Sequence, residues 1–330
     1  MSNAPLIWVL TDDRAGNVAQ ALGVAESLGR PFTVKEIRYT PLARLPNVLM
    51  GASVLGVAPE NRCGLQAPWP DLVIAAGRRT APIARWIKRK AGPKSVRLVQ
   101  LMNPGSGAED FDLIAVPRHD THQTPSARVL AITGAPHRLT EAKLKAAGEI
   151  WAPRFAALPK PRIALLVGGA THQRPFPESI ARTLGEQVQA MASAAGASVL
   201  LATSRRTGPA AEAALVAAIP GPRHAFLWSQ RGINAGDNPY LGYLALADAI
   251  VVTGDSVSMC TEACATRAPV YIYAPEGMVA PKHARLHQEL YGLGLARAFE
   301  GSFNAWDHPP LNPAGEVARA IDGLLRHQAA

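Results

Sequence analysis

The chain has 330 residues, 48% hydrophobic and 18% charged, which excludes wholesale disorder and is too long for one ordinary core. Its net charge of +9 favours anionic partners such as phosphates, nucleotides, acidic lipids or nucleic acid, without choosing among them. Three cysteines, Cys63, Cys260 and Cys264, are too few for a disulfide framework at this length and fit a reducing compartment.

Met1–Leu10 carries no basic residue ahead of its apolar run, and Asp12 and Asp13 follow at once. Neither a secretory leader nor a transit peptide is expected, so the expected location is cytoplasmic, with peripheral contact at the inner membrane. No run reaches the roughly 18 apolar residues of a membrane span. The nearest is Leu45–Ala58, which reads as a buried helix or as a patch resting on a bilayer.

A strand-then-helix rhythm fills the N-terminal half. Leu6–Thr11 reads as a strand, Asn17–Leu28 as a helix closed by Gly29, and Phe32–Tyr39 as an alternating strand. Asp71–Ala76 is a buried strand followed by a helix through Arg89, and Val96–Met102 and Leu113–Val116 add two more strands. A charged helical stretch, Thr140–Trp151, leads into Pro153, Pro159 and Pro161, which read as a linker. A second series then follows: strands Ile163–Val167, Ser198–Ala202, Ala225–Trp228, Ala249–Thr253 and Val270–Tyr273. Its helices are Glu178–Ala195, Pro209–Ala218, Tyr240–Ala247 and Val257–Ala265. Short apolar strands separated by helices imply parallel sheets covered on both faces. The expected domains are 1–157 and 158–310, with a C-terminal helix, Gly315–His327 within 311–330, crossing back to the first. The expected fold class is α/β, GT-B-like: two doubly wound Rossmann-like domains facing across a cleft.

In such sheets ligands bind at the carboxyl ends of strands. Four loops there are unusual. Thr253-Gly254-Asp255-Ser256-Val257-Ser258 opens a helix whose free N–H groups suit an anion. Ser258 and Glu262 share one side of that helix, where Glu262 would accept bonds from ribose hydroxyls. The plainer alternative is a helix cap at Asp255 or Ser256 with Glu262 solvated. Gly168-Gly169 permits close approach of backbone to phosphate, or simply a turn with φ > 0. Asp12-Asp13-Arg14, ahead of Gly16 and Asn17, crowds charge at a strand end. Asp13 is a candidate general base and Arg14 a phosphate holder, against an acidic helix start as the alternative. Arg118-His119-Asp120 places a His beside an Asp, as proton transfer requires, although a lone His is more often structural. Arg78 and Arg79, Asn103-Pro104-Gly105, and Ser204-Arg205-Arg206 end neighbouring strands.

Neither G-x-G-x-x-G after the first strand nor a P-loop is present. No tyrosine is followed four residues later by lysine, which counts against short-chain dehydrogenase and sugar-epimerase chemistry. Cys260 and Cys264 read as small core residues, and neither metal nor cofactor is expected. The basic run Arg85–Lys90 with Lys94 is the candidate for attraction to an anionic membrane surface, or the cationic end of a helix. Without an aromatic-interleaved basic stripe, nucleic acid is not expected as a partner.

Gly16–Leu28 and the stretch from Thr253 through Glu262 to Ala268-Pro269 resemble the glycine loop and donor motif of the lipid-linked N-acetylglucosaminyltransferases of peptidoglycan synthesis. That resemblance implies diphosphate contacts at Gly254, Ser256 and Ser258, and a ribose contact at Glu262. Asn17 stands where those enzymes usually have histidine, and Arg267 where a glycine is common. Thr11–Asn17, Pro117–Asp120 and Thr253–Met259 more closely resemble the "elongated mitochondria" fission family of plants and alphaproteobacteria. Its plant member is implicated in bringing a dynamin-type GTPase to the mitochondrial surface. Two functions follow as expectations. One is a metal-independent glycosyltransferase using a nucleotide-sugar substrate and a membrane-associated or envelope acceptor, with Asp13 or His119 as base. The other is a non-catalytic adaptor that binds a nucleotide or a protein partner at a membrane surface.

Overall fold

A computed structural model describes residues 4–92, 95–120, 126–231 and 238–326. Lys94 of the basic run and His327 of the expected last helix lie outside the described residues. The chain divides into two units, Met1–Arg138 with Asn312–Ala330, and Leu139–Leu311.

In the first unit the elements run β1 (Ile7–Thr11), α1 (Ala15–Ser27), β2 (Thr33–Glu36), α2 (Asn47–Met50), α3 (Pro59–Arg62), β3 (Leu72–Ala76), α4 (Ala81–Ala91), β4 (Arg97–Leu101), β5 (Leu113–Pro117) and β6 (Val129–Ile132). The six strands form one parallel sheet in the order β2-β1-β3-β4-β5-β6. Alternation along β1 explains why it is apolar throughout. Ile7 and Val9 enter a core with Ala21 and Val24 of α1, while Trp8 and Leu10 enter the opposite core with Ala84 and Ile87 of α4. Edge position has the reverse effect. The strand expected over Phe32–Tyr39 is only Thr33–Glu36 and largely exposed, because it has a single neighbour, β1. The other edge strand, β6, has no counterpart in the sequence reading.

Two expectations fail in this unit. Leu45–Ala58 is not a buried helix. Only Asn47–Met50 is helical, ended by Gly51 at φ 56°, a backbone conformation that favours glycine. Nor is the whole basic run of α4 free to attract a membrane, although Lys88, Arg89 and Lys90 do form the cationic end of the helix. Arg85 pairs with Asp110 at 2.6 Å and Lys88 with Asp112 at 2.9 Å, tying the helix to the β4–β5 connection.

In the second unit α5 (Glu141–Trp151) precedes β7 (Arg162–Val167), α6 (Glu178–Ala195), β8 (Ser198–Thr203), α7 (Pro209–Ala218), β9 (Arg223–Phe226), α8 (Tyr240–Leu246), β10 (Ala249–Thr253), α9 (Val257–Ala263), β11 (Val270–Tyr273), α10 (Pro281–Gly292) and β12 (Arg297–Ala298). The sheet is again parallel throughout, in the order β12-β11-β10-β7-β8-β9. Ile163, Leu165 and Val167 of β7 face one core, and Ala164 and Leu166 the other. Cys260 and Cys264 lie in the second of these, where burial pushes the Cys264 thiol up to about 12 and so makes it inert. The helix α5, expected within a first domain ending at 157, packs on α8 in this unit.

The chain ends with α11 (Pro313–Arg326), opened by proline and by Asn312, whose side-chain oxygen accepts the Gly315 N–H at 2.8 Å. Ala314, Val317, Ala318 and Ile321 enter the α1 side of the first unit's core. No helix among the described residues is long and apolar enough to cross a membrane.

Ile321 is fully buried beneath this returning helix. Replacing it with alanine is expected to cost the first unit about 2–5 kcal/mol through the cavity left behind, read as an earlier urea transition.

Candidate functional sites at the two switch points

Each sheet has one place where the strand order reverses: between β1 and β3 in the first unit, and between β7 and β10 in the second. Crossovers leave such a point toward opposite faces, so the loops at the carboxyl ends part and leave a crevice. Both switch points are rimmed by residues that the sequence singles out.

At the first, the loop after β1 is organised by Asp12. Its nearly buried carboxylate accepts the Arg14 backbone N–H and the Asn17 amide, both at 3.0 Å, and pairs with Arg79 at 3.2 Å. Gly77, at the end of β3, has φ 82° and sits so close to Asn17 that a Cβ would lie 2.6 Å from its amide nitrogen. Asp13 is exposed and pairs with the same Arg79. That hydrogen bond holds the Asp13 carboxyl below the usual carboxylate range, so it is a weak proton acceptor. Arg78 turns away to donate to the Leu45 carbonyl at 2.7 Å. Gly16 has open space around it, so packing does not require a glycine there.

An open pocket in this unit is lined by Arg14, Asn17, Gly77, Arg78, Met102, Asn103 and Asp120, among others. His119 is not in its lining. It is buried in a single turn after β5, and Asp120 instead reaches the pocket with a side chain 43% exposed. Met102 also lines it, at φ 68°, the one positive φ outside glycine among the described residues. Such strained backbone gathers at ligand sites. Asp120 and Met102 are the functional candidates that sequence reasoning passed over. The His beside Asp120 drew the attention, and a backbone angle leaves no mark on composition.

At the second switch point the glycines turn out to accommodate protein. A Cβ at Gly168 would overlap the Asp255 carboxylate, one at Gly169 the Arg206 backbone, and one at Gly254 the His287 ring. Gly168 N–H donates to Thr253 Oγ1 at 2.7 Å, and its carbonyl accepts from Ser204 and, at 2.9 Å, from Thr207. Asp255 is buried opposite Arg206 Nη1 at 2.6 Å, while Arg205 is exposed. His287 Nε2 lies 2.9 Å from the Gly254 carbonyl, and burial lowers its pKa. Ser256 caps α9 by accepting the Met259 N–H at 3.4 Å. What remains available at this rim is exposed Ser258 and, one helical turn on, Glu262. Its Oε2 accepts the Tyr240 hydroxyl at 2.6 Å, leaving Oε1 for another donor. Burial raises the Glu262 pKa, the bond from Tyr240 opposing it more weakly. His287 and Tyr240 escaped the sequence reading because each acts through tertiary contact alone. Among the described residues no group of three or more His, Cys, Asp or Glu is placed to hold a metal ion.

The family model described as mitochondrial fission ELM1 matches residues 15–325. The chain belongs to this family. It is 30% identical to mitochondrial fission protein ELM1 of Arabidopsis thaliana, over 83% of the chain and 68% of that relative. It is 29% identical to an uncharacterised protein of Rickettsia prowazekii (strain Madrid E), over 97% of the chain and 98% of that relative. Among solved structures, UDP-GlcNAc 2-epimerase of Methanocaldococcus jannaschii aligns at TM-score 0.57 and 10% identity, covering 96% of this chain and 99% of that one. The Neisseria meningitidis enzyme, solved bound to UDP-GlcNAc, aligns at 0.51 and 11%, covering 97% and 99%. At such identities the likeness shows the fold alone, the GT-B-like pairing of two doubly wound Rossmann-like domains. A shared fold at this identity does not carry the epimerase chemistry with it, so the likeness leaves the expectation against sugar-epimerase chemistry where it stood.

Asp12 and Asp13 should separate cleanly in a stability measurement. Asp12→Ala leaves Asn17 and Arg79 without their buried acceptor and is expected to cost about 1–3 kcal/mol in urea denaturation. Asp13→Ala, at an exposed pair, should leave the midpoint near that of the wild type.

Proposed function

We propose that the chain binds a nucleotide sugar, or the nucleotide alone, at the second unit's switch point and acts as a GT-B glycosyltransferase on a membrane-associated or envelope acceptor. The observation that carries this reading is Glu262. It is a carboxylate oriented by Tyr240, partly desolvated, and set at the rim of the reversal between β7 and β10. Partial burial of a carboxyl group at a functional rim is what a group reserved for a ligand's hydroxyls looks like. Solved proteins of the same fold carry UDP-GlcNAc and UDP, which supports that ligand class. Gly254 and Ser258 would meet the diphosphate, and exposed Arg205 would offset charge on the departing nucleotide without a metal. The acceptor hydroxyl would attack the sugar's anomeric carbon as the nucleoside diphosphate leaves. Asp120 is better disposed than Asp13 or His119 to take its proton, since it lines the first unit's pocket and neither rival does.

The adaptor reading stands beside this one on a specific observation. Asn17 is tied to Asp12, Asp13 to Arg79, and His119 is buried, so the first unit keeps few groups ready for proton transfer. The name of the Arabidopsis relative refers to mitochondrial fission, which fits recruitment as well as chemistry. In that reading the ligand site survives as a nucleotide-dependent switch.

Thermal unfolding against a panel of nucleotide sugars and free nucleotides tests the site. At about 100 times the dissociation constant a ligand should add roughly 2.7 kcal/mol, and Glu262→Ala should abolish the shift. Stabilisation by no member of the panel would overturn the ligand site. With a ligand in hand, hydrolysis or transfer that disappears in Asp120→Asn supports the enzyme, and binding without turnover supports the adaptor.

Glu262 also predicts a pH signature. Its folded-state pKa is raised, so the unfolded chain ionises more readily and the charged carboxylate burdens the fold once pH passes the carboxylate range. Ligand-free Glu262→Gln should therefore melt higher than wild type at neutral pH. The gain should close as pH falls and the wild-type carboxyl takes up its proton.

A further inference from the structure

Five of the nine exposed large hydrophobic side chains among the described residues lie within 14 positions: Leu42, Leu45, Val48, Leu49 and Leu55. Val48 is 74% exposed and Leu49 69%. They belong to a closed loop. Thr40 N–H donates to the Gly56 carbonyl at 2.9 Å, and Tyr39 and Val57 bridge beneath it. The loop is held rather than loose. Buried Asn47 donates to the Arg78 carbonyl at 2.7 Å and the Pro104 carbonyl at 2.6 Å, and Met50 is buried beside it. With Asn47 and Met50 turned inward, Val48 and Leu49 of the same helical turn are forced outward.

We propose that this loop is the surface by which the protein docks on a lipid bilayer containing anionic headgroups. Three features favour lipid over a protein partner. The exposed set is wholly aliphatic, whereas protein hot spots favour Trp, Tyr and Arg and are poor in Leu and Val. The backbone suits an apolar medium. Leu45, Leu49, Met50 and Gly51 donate their N–H groups within the loop, the Leu45 carbonyl is taken by Arg78, and Pro41 and Pro46 have none to place. Its charge is one-sided, because residues 40–56 contain Arg44 and no acid. Basic residues flanking an apolar face are the pattern of interfacial attachment. In the basic run of α4, Arg85 and Lys88 are held in ion pairs with Asp110 and Asp112, which leaves Arg89 and Lys90 exposed in addition to this loop's own apolar face. Arg78 both anchors the loop and lines the first unit's pocket, so docking would bring that pocket to the membrane surface. The inference shares the membrane location of the proposed function but not its ligand site.

The test is flotation of the full chain with vesicles of phosphatidylcholine alone or mixed with phosphatidylglycerol, for wild type, a Val48→Ser/Leu49→Ser double variant, and Arg44→Glu. The wild type should float with the mixed vesicles, and less so in high salt. The double variant should bind at least about tenfold more weakly with an unchanged melting curve, since both side chains are solvent-exposed in the folded protein. Arg44→Glu should lose the preference for the anionic mixture. Wild type that stays with neither vesicle, or a double variant that floats equally well, overturns the proposal. So does a double variant whose only change, seen by sedimentation, is loss of self-association. Nucleotide-induced stabilisation measured on the double variant keeps failure of this surface distinct from failure of the ligand site.

Discussion

Every strand in both sheets runs parallel to its neighbours, and nearly everything else in the molecule follows from that. A parallel pair cannot be joined by a tight hairpin, so each connection must cross a face of the sheet and bury it. The interior strands are therefore apolar on both sides, and all their carboxyl ends emerge along one edge. A polar side chain inside a strand must find its partners there, as Gln100 does on the Gly77 and Leu101 carbonyls, so most polar groups gather in the loops at the strand ends. One reversal of strand order in each sheet then decides where on the edge a crevice opens.

That constraint also governs what was readable from sequence. The interior strands β1, β3, β7, β8 and β10 are fully buried and announce themselves as unbroken apolar runs. Edge strands do not. Thr33–Glu36 is mostly exposed, and its alternation overstates it as Phe32–Tyr39, while Arg297–Ala298 is two exposed residues without a pattern that separates it from a loop. The helix Pro281–Gly292 went unread for a related reason. It buries His283 and His287 alongside Leu286 and Leu290, so half of its buried stripe is written in polar letters. The apolar loop was conspicuous in the sequence, but whether it faced inward was set by Asn47, through bonds to residues 31 and 57 positions away.

The loops of the candidate sites were legible in position, and at the second switch point the space beside their glycines is taken by protein. Paired glycines at the end of a strand suggested room for phosphate. Instead, Gly168, Gly169 and Gly254 each make room for another part of the protein: the Asp255 carboxylate, the Arg206 backbone and the His287 ring. The consequence is a rim in which three strand-end loops brace one another, with Thr253, Ser204 and Thr207 all converging on the amide group and carbonyl of Gly168. A rim built in this way is pre-organised, and the ordering entropy of a ligand contact falls on folding rather than on binding. Glycine at these positions is thus indirect evidence for a site, through stiffness instead of open space.

The two rims differ in how they treat their carboxylates, and the difference bears on function. Asp12 is almost wholly enclosed yet satisfied three times over, by Asn17, Arg79 and a backbone amide, so it serves the fold. Glu262 is partly enclosed and bonded by Tyr240 alone, and burial raises its pKa. A protein selected only for stability would be better off with a neutral side chain there, or with a cation beside it. Neither is present in the surroundings that set its charge state, which comprise only desolvation and the Tyr240 hydroxyl. An acid kept at a cost to the fold, at the rim where the strand order reverses, is what the proposed contact with a ligand's hydroxyl donors would account for.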